Sequence, residues 1–329
     1  MLKVGVIGAG HLGRWHIKNL QQIEGVEFVG FFDSDVERAK EISKEYKASA
    51  AASMEELLEN CAAISIVVPT SAHYEVARAA LNRNVHVFCE KPFMETTAEA
   101  DEIIALAKSQ NLVLQVGHIE RFNPALSGLR EIPMNPMFIE SHRIAPFNPR
   151  GIDVAVILDL MIHDIDIILS IVHSDIDRID AAGAPILTDS IDIANARIKF
   201  KNGCVANITA SRVSNKQMRK LRIFQKDAYI SVDFLKNKTE LYSLVDNPQK
   251  RGRGITLAEI EMPDGRKKKI TYKRLKKDSA NAMLEELRAF VYAIQNNSQP
   301  PVTGEDGKRA LETAIRIEAQ IKAALTRLL

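Results

Sequence analysis

Three side chains in this sequence have the types and spacing that proton transfer at a hydroxyl group needs. Asp159 and His163 stand four residues apart in Asp159-Leu160-Met161-Ile162-His163-Asp164-Ile165-Asp166. On a helix that spacing puts both on one side, with Cβ atoms about 6 Å apart. A carboxylate there orients an imidazole, which titrates near ~6.5 and accepts a hydroxyl proton around neutrality. The same spacing also suits an ordinary Asp–His hydrogen bond on a polar helix face, and the pair alone does not separate the two readings. No third ligand accompanies them at metal spacing, so a metal is not expected. Lys91 lies in Glu90-Lys91-Pro92, where the proline disfavours a helical conformation for the lysine. Its ammonium either bonds a substrate hydroxyl or is a solvated partner of Glu90.

A second group points to a phosphate-bearing ligand. Gly8-Ala9-Gly10-His11-Leu12-Gly13 is a G-x-G-x-x-G pattern, set between a β-branched run and an amphipathic stretch. Its glycines allow a tight turn, a close backbone approach to a pyrophosphate and close helix–strand packing. The amides at the helix start, His11 and Leu12 among them, then face the phosphates. Asp33 lies 20 residues beyond Gly13, at the end of the next run, where a carboxylate accepts from an adenosine ribose. Ser34-Asp35 follows with no arginine adjoining Asp33, so a 2′-phosphate meets repulsion and NAD is preferred over NADP. Pro69-Thr70-Ser71-Ala72-His73 and Glu90-Lys91-Pro92 end two further runs and border the same crevice, which adds Pro69, Thr70, His73, Glu90 and Lys91 to the cofactor-binding candidates.

Elements that position these groups are visible in the pattern. Lys3–Gly8, Val26–Asp33, Ala63–Val68, Val85–Glu90 and Val113–Gly117 are nearly continuous hydrophobic runs, as in strands covered on both faces. Leu12, His16, Leu20 and Ile23 share a helical face, and Asp35–Tyr46 is amphipathic. Ser53-Met54-Glu55-Glu56 and Thr96-Thr97-Ala98-Glu99 have capping-box spacing. Residues 1–120 thus predict a doubly wound α/β Rossmann domain. Residues 121–329 predict an α+β domain: a large, mainly antiparallel sheet flanked by helices. Its strands are Ile191–Phe200, Cys204–Val213, Leu221–Gln225, Tyr229–Phe234, Thr239–Val245, Ile255–Met262 and Lys268–Leu275, with Asn202-Gly203 and Asp264-Gly265 as hairpin turns. After the Gly117–Pro124 joint, two helical stretches flank a further strand rich in β-branched residues, and Val156–Val172 is read as helical. Ala280–Asn296 and Glu305–Leu328 are the closing helices.

The composition is that of a globular protein of about two domains. It has 329 residues, 46% hydrophobic and 26% charged, with 44 Lys+Arg against 42 Asp+Glu. Disorder and a strongly basic nucleic-acid module are poor fits. Cys61, Cys89 and Cys204 are too few and too scattered for a disulfide framework, and they suit a reducing cytoplasm. No leader pattern or membrane span is expected. Lys250–Lys277 holds eleven Lys or Arg against three acidic residues. It falls on a hairpin pattern without aromatic interleaving, which favours a charged sheet edge over nucleic-acid binding.

The glycine fingerprint, the Pro69–His73 turn and above all Glu90-Lys91-Pro92 resemble the Gfo/Idh/MocA family of nicotinamide oxidoreductases, nearly end to end, including Pro301–Gly307 before the last helix. The resemblance implies catalytic Lys91, Asp159 and His163: His163 takes a proton from the hydroxyl being oxidised, Asp159 orients it, and Lys91 binds the same hydroxyl. It also implies a substrate held between the two domains, a homodimer or homotetramer, and a last helix that packs near the cofactor domain. Gly117-His118-Ile119-Glu120-Arg121-Phe122-Asn123-Pro124 and Asp159–Asp166 resemble the branch that oxidises a UDP-linked amino sugar, UDP-N-acetylglucosamine, at its 3-hydroxyl. That branch makes a 3-keto sugar for amination on the way to lipopolysaccharide. Glu120, Arg121 and Asn123 are then substrate contacts beside Lys91 and His163, and Arg143 and Arg150 are diphosphate partners, unless both form ordinary surface ion pairs. A free sugar, a cyclic polyol or a non-catalytic NAD sensor are the rival readings.

Overall fold

The structure is a computed structural model that describes residues 1–148, 154–245, 254–275 and 281–327. The chain forms two compact units. Residues 1–122 and 281–312 make the first, and residues 123–280 and 313–329 make the second.

In the first unit the elements follow as β1 (Leu2–Ile7), α1 (His11–Leu20), β2 (Val26–Phe32), α2 (Val36–Tyr46), α3 (Met54–Asn60), β3 (Ala63–Ile66), α4 (His73–Leu81), β4 (His86–Glu90), α5 (Thr97–Ser109) and β5 (Leu114–Gly117). The five strands are parallel in the order β2-β1-β3-β4-β5, so the order reverses between β1 and β3. Val4, Val6, Ile64, Ile66, Val87 and Phe88 are fully buried, which is why these strands read as unbroken apolar runs. Asp35 caps α2 and Ser53 caps α3, and Thr96 with Glu99 forms a complete capping box on α5. Of the residues expected on one helical face, His16 and Leu20 of α1 and Ile23 after it are buried, while Leu12, in the first turn of α1, is 37% exposed.

The second unit begins with α6 (Pro124–Ser127) and β6 (Pro136–Ile144). A π-helical turn over Ile157–Met161 leads into α7 (Ile162–Val172). The remaining strands are β7 (Ile176–Ala184), β8 (Ile193–Phe200), β9 (Val205–Ser211), β10 (Met218–Gln225), β11 (Ala228–Asp233), β12 (Lys238–Val245), β13 (Ile255–Glu261) and β14 (Lys267–Leu275). They form one nine-stranded sheet, β13-β14-β12-β11-β10-β6-β9-β8-β7, antiparallel except where β6 runs beside β9. The hairpin glycines Gly203 and Gly265 take φ of 89° and 78°, values open to glycine. One strand, β7, has no counterpart among the expected ones.

One face of this sheet is core, with Ile139, Ile198, Ile208, Ile223 and Ile230 at most 1% exposed. The other carries a run of half-buried rings, Phe138–Phe224–Tyr229–Tyr242–Tyr272, with successive centroids 5.9, 4.9, 5.5 and 5.1 Å apart. Edge strand β13 is exposed at every residue. In the described part of the basic segment two cations are paired locally, Lys269 with Glu259 at 3.0 Å and Arg266 with Asp264 at 2.6 Å. The chain ends with α8 (Ala282–Gln295), capped by Asn281, and α9 (Gly304–Thr326). Among the described residues no helix is long and apolar enough to cross a membrane.

Candidate active site

The glycine turn has a distinct constraint at each position. Gly8 has φ of 93°, and a Cβ there would lie 2.5 Å from the Val67 carbonyl oxygen. A Cβ on Gly13 would strike the Gly8 carbonyl oxygen at 2.0 Å, so α1 packs on β1 only because the position is bare. Gly10 differs: a Cβ there meets nothing within 4 Å, and Gly10 caps α1 with no side-chain bond to its first amides. Backbone donors and open space at one place make a cradle that suits a pyrophosphate.

Gly8, Gly10, Asp33, Ser34 and Pro69 line a single cavity of about 530 Å³, together with Met54, Val67 and Val68. It sits at the reversal between β1 and β3, where open α/β sheets bind ligands. The apolar walls suit an adenine, and the cradle and Asp33 suit a pyrophosphate and ribose, so these residues fit a dinucleotide.

Asp33 corrects one expectation. Its Oδ2 accepts from the Ala9 amide at 2.7 Å and its Oδ1 from the Asp35 amide at 2.9 Å. Arg38 Nη1 lies 3.2 Å from Oδ1, so an arginine does adjoin Asp33. It comes from the first turn of α2, a neighbour that reading only the next two residues misses. Its guanidinium also pairs with Asp35 at 3.1 Å, which leaves two carboxylates against one cation.

Two further cofactor candidates have interior roles. His73 is 1% exposed, and its ring is surrounded by the carbonyl oxygens of Val68 and Pro92 at 3.0 Å and Phe93 at 3.2 Å. It ties the turn after β3 to the loop after β4. Burial drives the ring toward its neutral form, against the carbonyls of Val68, Phe93 and Pro92. Glu90 is 6% exposed and faces the interior, where Oε1 meets His16 Nε2 at 3.1 Å. Lys91 follows on the half-buried loop, its peptide to Pro92 cis.

In the second unit Asp159 lies on the π-helical turn and His163 in the first turn of α7. Both are half-buried. Wider turns of this kind recur at functional sites. The segment is rooted from both sides. Arg212 donates to the Val154 carbonyl and to Asp192 Oδ1, each at 2.7 Å. Burial alone would raise the Asp192 carboxyl, but the amides of Ile186, Leu187 and Thr188 and the Arg212 guanidinium hold it far below the usual carboxylate range.

Arg143, expected as a diphosphate partner, is instead buried in an ion pair. It is 2% exposed, on β6, and its Nε and Nη2 reach Asp164 at 2.8 and 3.2 Å, beside the Phe234 ring. Arg150 lies outside the described residues. Glu120 is buried on a 3-10 turn, Arg121 lies 3.7 Å from Asp306 of α9, and Asn123 caps α6 through the Ala125 amide. His11 and Thr70 start α1 and the 3-10 turn before α4 and do not line the cavity. Arg38 and His16 are what the sequence reading missed.

Comparisons with known proteins agree with this geometry. Residues 2–118 match the oxidoreductase family with an NAD-binding Rossmann fold, and residues 143–231 match the GFO/IDH/MocA C-terminal domain. The chain belongs to the Gfo/Idh/MocA oxidoreductase family, and it is an NAD-dependent dehydrogenase. It is 38% identical over 327 residues to UDP-N-acetylglucosamine 3-dehydrogenase of Acidithiobacillus ferrooxidans, covering 99% of both chains. The solved structure of that enzyme superposes with a TM-score of 0.87 at 36% identity over 98% of each chain. Myo-inositol 2-dehydrogenase of Thermotoga maritima is 27% identical over 94% of this chain and 93% of its own.

Proposed function

We propose that this dehydrogenase oxidises the 3-hydroxyl of UDP-N-acetylglucosamine to a ketone. The observation that carries the reading is the 38% identity, over 99% of both chains, with an enzyme of that name. Bound NAD supplies the hydride acceptor. His163 takes the proton of the 3-hydroxyl, and Asp159 keeps the imidazole oriented and balances the charge it gains. Lys91 donates to the same oxygen and stabilises the negative charge that develops there. Arg38 and Asp33 hold the adenosine end.

The pairing of Arg143 with Asp164 favours other groups as diphosphate partners, with Arg150 as the candidate. Three thiols without disulfides suit a cytoplasmic enzyme. The half-buried ring row on the second sheet supports self-assembly, and a dimer or tetramer mass in light scattering at micromolar concentration is the expected result.

The test follows nicotinamide absorbance with purified protein, NAD and a panel of UDP-sugars, free sugars and inositols, with a ketone trap. Reduction on UDP-N-acetylglucosamine alone supports the reading. Turnover on a free polyol would keep the chemistry and replace the substrate. Silence on every sugar with NAD bound would favour a sensor.

A further inference from the structure

One buried polar chain in the first unit is not used by the cofactor or by the proton transfer. His16 lies on the inner face of α1, fully buried, one turn beyond the glycine cradle. Its Nδ1 is 2.7 Å from Ser65 Oγ on β3, and its Nε2 is 3.1 Å from Glu90 Oε1 at the end of β4. The other oxygen of that carboxylate, Oε2, accepts the Lys91 backbone amide at 3.2 Å.

A carboxylate only accepts, so the Nε2 of His16 and the amide of Lys91 both point hydrogens at Glu90. Nδ1 meets the Ser65 hydroxyl, a group that both donates and accepts. Each polar side chain along the chain thus has a partner, which is how buried polar groups are retained.

The surroundings hold the chain in one geometry. Phe88 meets the His16 ring edge-on at 5.5 Å and is itself packed edge-on by Phe290 at 5.8 Å. Gly117, at the end of β5, is the seat for the carboxylate: a Cβ there would lie 2.8 Å from Glu90 Cδ. Helix α1, β3, β4 and β5 thus all fix one carboxylate, and that carboxylate fixes the backbone of Lys91.

We propose that His16 is the positioning residue for Lys91: through Glu90 it couples the helix that starts at the phosphate cradle to the lysine's backbone. The proposal rests on the reading of Lys91 as the group that bonds the reacting hydroxyl. His16 itself touches neither cofactor nor substrate.

Three variants test it. His16→Leu removes both ring nitrogens, while His16→Gln keeps an N–H within reach of Glu90. Gly117→Ala pushes on the carboxylate from the opposite side. Exchange of the Lys91 amide, followed by NMR or by mass spectrometry of a short peptide, reads the bond to Glu90 without any sugar. In His16→Leu and Gly117→Ala that exchange is expected to accelerate about tenfold, with protection elsewhere in the first unit retained. NAD affinity by calorimetry is expected to stay within about threefold, while kcat on the sugar falls roughly tenfold or more, as displacement of a reacting group requires. His16→Gln restores both the amide protection and most of kcat. Unchanged Lys91 exchange in His16→Leu would overturn the proposal, and so would equal losses in the Leu and Gln variants. If wild-type protein turns over no nucleotide sugar, the substrate assignment fails, and the exchange experiment still decides the role of His16. Should His16→Leu not fold, Gly117→Ala and His16→Gln carry the same comparison.

Discussion

Arg143 and Asp164 form a two-bond ion pair at 2.8 and 3.2 Å, with both side chains at most 3% exposed. It links β6 to the first turn of α7, at the residue next to His163. The helix that carries His163, the proposed proton acceptor, is therefore held in place by an arginine that sequence alone offers as a phosphate ligand.

Removing one partner of such a pair strands a buried charge. Arg143→Met is expected to cost about 3–5 kcal/mol of stability, read from urea unfolding. The double variant Arg143→Met/Asp164→Leu is expected to recover most of that loss, because Asp164 is no longer left as a buried charge without its guanidinium. A stable Arg143→Met protein with a raised KM for the nucleotide sugar would instead restore the diphosphate role.

Asp33 and Arg38 make cofactor choice adjustable. Asp33→Ser removes the proposed acceptor of the ribose hydroxyls and takes one of two carboxylates from the Arg38 guanidinium, which stays paired with Asp35. NAD affinity is expected to fall about tenfold or more, the scale of a lost hydrogen bond to a charged group, while NADP affinity rises. Adding Arg38→Ala should cancel the NADP gain. Calorimetry with both cofactors measures this, and NADP binding that ignores Arg38 would contradict it.

Gly10 and Gly13 separate binding from folding. Gly10→Ala has room for its methyl in the free protein, so the unfolding midpoint is expected to hold while NAD affinity drops. Gly13→Ala has its methyl 2.0 Å from a carbonyl oxygen and is expected to lose stability, on the order of 1–3 kcal/mol for overpacking. Equal effects of the two substitutions on stability would count against the assigned cradle.

Much of this was legible from local pattern. The five parallel strands announce themselves because both faces are buried, and the hairpins at Gly203 and Gly265 because their φ values suit glycine. Strand β7 was not legible: Ile176–Ala184 mixes Asp, Arg, Ala and Gly, and only Ile179 among them reaches the core. The site was harder. Arg143, His16 and Arg38 are defined by partners 21, 74 and 5 residues away. Only for Arg38 did the sequence hold a clue, one helical turn past Asp33. A histidine on an otherwise apolar helix face also signals a buried polar partner, but does not say which.

Two histidines set an acid limit on stability. Burial lowers both His73 and His86 from the ordinary value of 6.5, and His86 Nδ1 accepts the Val113 amide, which protonation would break. The unfolded chain takes up these protons first. Their contribution is therefore complete above about pH 6.5 and is lost as pH falls below it. The melting temperature is expected to decline from about pH 7 to pH 5, and His86→Gln, which keeps an acceptor, to flatten part of that slope. A flat wild-type profile would contradict the assignment.

The central claim concerns one carbon–hydrogen bond, at C3 of the sugar. UDP-N-acetylglucosamine deuterated at C3, incubated with the protein and NAD, gives reduced cofactor whose mass reports the origin of the hydride. The account predicts one deuterium in the reduced cofactor from wild-type protein and none from His163→Ala, with the variant still binding NAD. Reduced cofactor without deuterium, or undiminished turnover by His163→Ala, would contradict it.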